Sequence, residues 1–141
     1  MSMTWILIAD SSRARLFSAD RARAPLREIQ AFLNPEGRAK TQDLVSDRPG
    51  RSSGNGPNMD YEVAPKRQQA MVFAKEISQH LKSGRVGGLF RRLYIAATPS
   101  FLGLLRGKLD ARTAELVVGT ISKDLTLMEP QEIRRHLPEQ L

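Results

Sequence analysis

The residues best placed by type and spacing to do chemistry lie in NPEGRAKTQDLVSDRPGR, from Asn34 to Arg51. Arg38, Lys40, Arg48 and Arg51 stand there against Glu36, Asp43 and Asp47, and Pro35, Gly37, Pro49 and Gly50 break the backbone. Such a mixture presents no apolar face, so it reads as a long polar loop extending to about residue 64, and loops of that length are either functional or disordered. Its sharpest part is SDRPGR at 46–51. Asp47 can hold a turn whose backbone Pro49 and Gly50 set, and Arg48 and Arg51 then project from one bend toward a phosphate or carboxylate. The alternative is that both arginines pair with Asp43, Asp47 or Glu36 and pin the loop to its own domain.

A second basic feature lies further along. The chain carries a net charge of +7 over 141 residues, and the surplus sits in the window 82–112, where Lys82, Arg85, Arg91, Arg92, Arg106, Lys108 and Arg112 face Asp110 alone. That placement favours a polyanion such as RNA, or an anionic surface; the bland reading is the solvated face of a basic protein. Trp5, Phe17 and Phe32 fall in expected strands, leaving only Tyr61 and Phe90 as free aromatic platforms. Sequence-specific reading of single-stranded RNA is thereby disfavoured, while recognition of backbone or shape survives.

Other chemistries are poorly supplied. Asp10, Glu76 and Asp124 are the carboxylates from which an acidic site could be assembled, but two-metal catalysis needs several acids converging on ions about 3.5–4 Å apart. Asp10 equally suits a turn-capping role. His80 and His136 lack a second histidine at ligand spacing and read as surface residues, so no metal site is expected. Ser11, Ser12 and Ser100 have no nucleophile-elbow pattern, and Gly54 and Gly56 do not join a strand to a helix as a phosphate loop would. With no cysteine, thiolate zinc and thiol chemistry are excluded, and nothing requires an oxidising compartment. No cofactor is expected.

These candidates must be positioned by a fold of one ordinary domain, since 40% hydrophobic residues suffice for a core. TWILIA (4–9), ARLFSA (14–19) and LREIQAFL (26–33) read as three strands, the first two forming a hairpin; alternation in the third is imperfect and helix is its competitor, disfavoured because it would have to start and stop within one short run between Pro25 and Pro35. Ala70, Phe73, Ala74, Ile77 and Leu81 then recur at helical spacing, predicting a helix from about Pro65 to Ser83 with Gly84 as its stop. RLYIAAT (92–98) is a strand, Pro99 opens a short Leu-rich helix, ELVVGTIS (115–122) is the last strand, and Pro130 starts a final helix that Pro138 ends. Three antiparallel strands followed by two crossover units give an α/β mixed five-stranded sheet with helices on its faces, the topology of the ribonuclease H-like fold. No run approaches the roughly 20 apolar residues of a membrane span, and Trp5 to Ala9 is too short for a signal-peptide core. A cytoplasmic location is the expectation.

Four stretches also carry a family resemblance: TWILIADSSRARLF at 4–17, FLNPEGRAKTQDLVSDRPGR at 32–51, AATPSFLGLLRGKL at 96–109 and SKDLT at 122–126. Through them the chain resembles the bacterial host attachment protein family, described as required for attachment to host cells. That family is more remotely similar to the ribonuclease H-like middle domain of archaeal and eukaryotic peptide release factors and ribosome-rescue proteins. The resemblance implies a role near RNA or the ribosome. No GGQ tripeptide is present, so release-factor hydrolysis is not carried over. A ribonuclease H-like nuclease keeps an acid where Asp10 stands, yet the fourth strand ends in Ala97, Thr98 and Pro99 rather than in a second one.

The combined expectation is a non-catalytic domain that binds RNA or the ribosome through Arg38, Lys40, Arg48 and Arg51 of the loop and Arg91, Arg92, Arg106 and Lys108 of the basic window. A metal-dependent nuclease using Asp10 and a protein-interaction module docking through the 34–51 loop are the alternatives. On this reading the attachment name describes a phenotype rather than a direct contact, because an exported protein should show an export signal.

Overall fold

Every residue of strand β1 (Thr4–Ala9) is buried, which makes it the centre of the molecule and obliges the chain to cover both of its faces. The structure, a computed structural model, describes residues 3–20, 25–34 and 59–138, with 59–65 as backbone alone. Strands β2 (Arg13–Ala19) and β3 (Arg27–Leu33) follow in antiparallel pairing. Helix α1 (Met59–Val86) crosses to β4 (Arg92–Ala97), and helices α2 (Pro99–Lys108) and α3 (Ala111–Glu115) lead to β5 (Val117–Ile121). Helix α4 (Pro130–Arg135) comes last. The sheet order is β3-β2-β1-β4-β5, with β1 and β4, and β4 and β5, parallel. The expected α/β architecture of three antiparallel strands followed by two crossovers is therefore present.

Alternation along the central strands splits the core in two. Trp5, Leu7 and Ala9 of β1 and Leu93, Ile95 and Ala97 of β4 pack against α1 and α2 through Phe73, Ile77, Leu81, Phe101 and Leu105. Ile6, Ile8, Phe17 and Ala96 point the other way, toward Leu125, Ile133 and Leu137 of the C-terminal cover. Both edges of the sheet are irregular. The pairing skips Ile29 in β3 and Val118 in β5, each an exposed β-branched residue at a one-residue bulge. A bulge twists an edge and discourages further strand pairing. Strand β3 is exposed along almost its whole length, which explains why its sequence lacks clean alternation.

Three boundaries differ from expectation. Helix α1 begins at Met59, within the stretch read as loop, so Pro65 lies in its second turn rather than at its start. At the other end the helix does not stop at Gly84 but runs on to Val86. The Leu89 N–H donates to the Gly84 carbonyl at 2.9 Å and the Gly88 N–H to the Arg85 carbonyl at 3.0 Å, a Schellman closure in which Gly88, at φ 72°, takes the left-handed position. Gly84 serves a different purpose: a Cβ there would overlap the outer edge of the Trp5 indole, whose ring also stacks on Phe90 at 4.5 Å between centroids. The third difference is α3, a single turn at 111–115 that was not expected and that moves the start of the last strand from Glu115 to Val117.

Gly84→Ala tests this packing. The gain in helix propensity, about 1 kcal/mol, is outweighed by forcing the indole to move, and overpacked cores lose about 1–3 kcal/mol. Urea unfolding followed by the fluorescence of the single tryptophan should show a net loss together with a shifted native emission. Gly103→Ala, where a Cβ meets nothing within 4 Å, should show neither.

Candidate functional site

In an open sheet with parallel strands, ligands favour the edge where the parallel strands end, and three connections meet there: Asp10 after β1, Thr98 after β4 and Ser122 after β5. Asp10 closes the β1–β2 hairpin. Its Oδ1 accepts the backbone N–H groups of Ser12 and Arg13, both at 2.8 Å, while its own N–H donates to the Arg13 carbonyl at 2.9 Å. Its second oxygen faces the Thr126 hydroxyl at 3.4 Å. That hydroxyl lies closer to Asp124, at 2.6 Å from Oδ1, which also accepts the Thr126 N–H at 3.0 Å. One hydroxyl hydrogen cannot serve both acids, so Asp124 receives it and Asp10 is left its two amides.

Arg15 completes the cluster. Its Nη1 donates to the carbonyls of Thr126 at 3.0 Å and Met128 at 2.7 Å, and its Nη2 and Nε form a fork on Glu28 at 2.9 and 3.2 Å. The guanidinium also lies 5.0 Å from the centre of the Phe17 ring. Asn34, where the long loop leaves the sheet, is buried, and it fastens to the hairpin by bonds to the Ser11 and Ser12 carbonyls at 3.1 and 2.9 Å. Asp10 and Asp124 are thus brought together as anchors for fixed protein donors. Glu76 is not: it stands exposed on α1. Among the described residues no group of three histidines or acids could hold a metal ion.

The cations distribute differently. Arg38, Lys40, Arg48 and Arg51, and with them the SDRPGR turn, lie outside the described residues, as does the side chain of Tyr61. Lys82, Arg91, Arg92, Lys108 and Arg112 are exposed, and they belong to segments at the amino ends of the parallel strands: the close of α1, the start of β4, the close of α2, and α3. Arg106 donates to the Thr120 hydroxyl at 2.9 Å, tying α2 to β5. Arg85 is consumed inside, donating to Thr113 Oγ1 at 3.0 Å and pairing with Asp110 at 3.3 Å. The Thr113 hydroxyl, together with Arg85, holds the Asp110 carboxyl below its ordinary range. The exposed cations of the basic window therefore lie at one end of the sheet, whereas Asn34 lies at the opposite end.

Two aromatic and histidine expectations change. Phe90 is buried against Trp5 and offers no platform. His80 is half-buried, stacked 6.1 Å from Trp5 and edge-on to Phe32 at 5.1 Å, so it is a packing residue rather than a surface one. His136 is exposed at the end of α4. Arg15 and Thr126 were not singled out from sequence, although a lone arginine inside the otherwise apolar run ARLFSA is itself a signal that a partner must exist.

The chain matches the model of a family described as protein required for attachment to host cells, over residues 5–137. No curated protein matches it.

Asp10→Ala, which removes the acceptor of two backbone amides, should cost about 1–2 kcal/mol in urea unfolding, and Asp10→Asn, which keeps one amide oxygen, clearly less. Equal losses would mean that charge rather than the acceptor matters. For Asp110, a lowered folded pKa means that its contribution to stability is present above its unfolded pKa and is lost as pH falls through the folded value. Thr113→Val should raise that carboxyl's titration toward the ordinary range by NMR, and the part of the acid-side loss of stability that Asp110 contributes should shrink.

Proposed function

Because this chain belongs to the family of proteins required for attachment to host cells, we propose that its part in attachment is that of a non-catalytic domain binding RNA or a ribonucleoprotein inside the cell. The observation that carries this reading is the contrast between the two ends of the sheet. At one end Asp10, Asp124 and Arg15 have their polar atoms engaged by backbone, Thr126 and Glu28, an arrangement suited to holding a fold. At the other, Lys82, Arg91, Arg92, Lys108 and Arg112 stand exposed and, among the described residues, make no ion pair. Unspent cations gathered on one end attract a polymer of phosphates, whose binding releases condensed counterions. On this reading the domain is ribonuclease H-like in its sheet order alone and works without metal-ion hydrolysis. The attachment phenotype then follows from events inside the cell. No helix among the described residues is long and apolar enough to cross a membrane.

Fluorescence anisotropy with a labelled single-stranded RNA should show affinity falling steeply between about 50 and 200 mM salt. Arg91→Ala with Arg92→Ala should weaken binding to all sequences alike and reduce the salt slope by about one to two. A salt-independent complex, or one with a protein that survives ribonuclease treatment while RNA does not bind, would overturn the reading, as would recovery of the protein by protease shaving of intact cells.

A further inference from the structure

We infer that Tyr94 is a stacking platform for one base of a bound RNA, with Arg92 beside it for the adjoining phosphate. Tyr94 and Arg92 stand two residues apart on β4, so both belong to the face of the sheet that also carries Ile6, Phe17 and Ala96. Helices α1 and α2 cover the other face. On this one the small C-terminal cover leaves Tyr94 half-buried and Arg92 exposed.

What sets this ring apart is the seat beneath it. Tyr94 lies opposite Gly119 of β5 because the pairing skips Val118, and without that bulge a valine would stand there. A Cβ on Gly119 would lie 2.9 and 3.0 Å from Cε1 and Cδ1 of the ring, so the ring lies across the bare backbone of the neighbouring strand. Glycine weakens a strand interior, and here it admits the ring. One side of Tyr94 is thus taken up by β5 and by the second core, against which it packs, and the part that solvent reaches is turned away from the sheet. A buried phenol ordinarily finds a hydrogen-bond partner, yet the Tyr94 hydroxyl makes none among the described residues, as befits the outer end of a half-open ring.

A flat ring held on a sheet fits the face of a nucleobase, and because every base has such a face the contact tolerates any sequence. Arg92 makes no ion pair among the described residues. Residues two apart on a strand are separated by about 7 Å, which brings its guanidinium within reach of the phosphate attached to the stacked nucleotide. Trp5 and Phe90 are buried on the opposite face and offer no such surface. The stack rests on the RNA reading above and gives it a contact that charge alone does not supply.

The test is fluorescence anisotropy of the full chain with a labelled oligoadenylate, and with inorganic polyphosphate as a competitor that carries the charge without bases. Tyr94→Leu, which keeps an apolar contact with the second core, should weaken oligoadenylate binding about 5- to 10-fold, the worth of a modest base–aromatic stack, with the salt slope and the affinity for polyphosphate unchanged. Tyr94→Phe should bind as wild type. Arg92→Ala should weaken both ligands and lower the salt slope by about one. In the wild-type protein the ring protons of Tyr94 should move upfield in NMR spectra as oligoadenylate saturates and stay in place with polyphosphate. Ring protons unmoved at saturation, wild-type oligoadenylate affinity in Tyr94→Leu, or an equal loss for both ligands in that variant with native tryptophan emission overturns the stack and leaves the RNA reading standing. If oligoadenylate does not bind at all, the RNA reading falls and the stack falls with it.

Discussion

Strand β1 imposes the condition that everything else meets, because six successive buried residues require a cover on each face of the sheet. The first cover is generous: α1 and α2 deliver Phe73, Ile77, Leu81, Phe101 and Leu105. The second is thin. Helix α4 has six residues, too few to be stable on its own, and it reaches the core only through Ile133, with Leu125 and Leu137 beside it. A cover of that size must be tied down by other means. Arg15, gripping the Thr126 and Met128 carbonyls from β2, is that tie, and Asp124 shapes the segment it grips by accepting the Thr126 N–H and hydroxyl.

That use of the polar residues decides where chemistry can occur. A carboxylate that must accept two backbone amides to close a hairpin cannot also move to meet a substrate without opening the turn. The edge at which an α/β sheet customarily places its ligands is therefore committed to construction in this molecule, at least among the described residues. At the amino ends of the parallel strands the balance reverses. Arg85 is the cation spent there, joining α1 to Asp110 and Thr113, and its engagement fixes the orientation of the helix end from which Lys82 projects. Cations that stabilise nothing within the chain are the ones free to act on something outside it.

The apolar runs of β1 and β4 were legible because a strand covered on both faces leaves a continuous hydrophobic signature, and with Pro99 and Pro130 opening short helices the element order followed. Gly84 was not legible. A glycine that ends a helix and one that admits a tryptophan look alike in sequence, and only the placement of Trp5 beneath α1 separates them. The Arg15 ties were invisible for another reason: their carbonyl partners lie 111 and 113 residues away, joined by topology and not by pattern. Alternation failed at β3 because an edge strand open on both faces has no inner side to record. The candidate cations of the 82–112 window share one stretch of sequence, yet Arg85 and Arg106 could not be separated from the others without knowing that Asp110, Thr113 and Thr120 lie opposite.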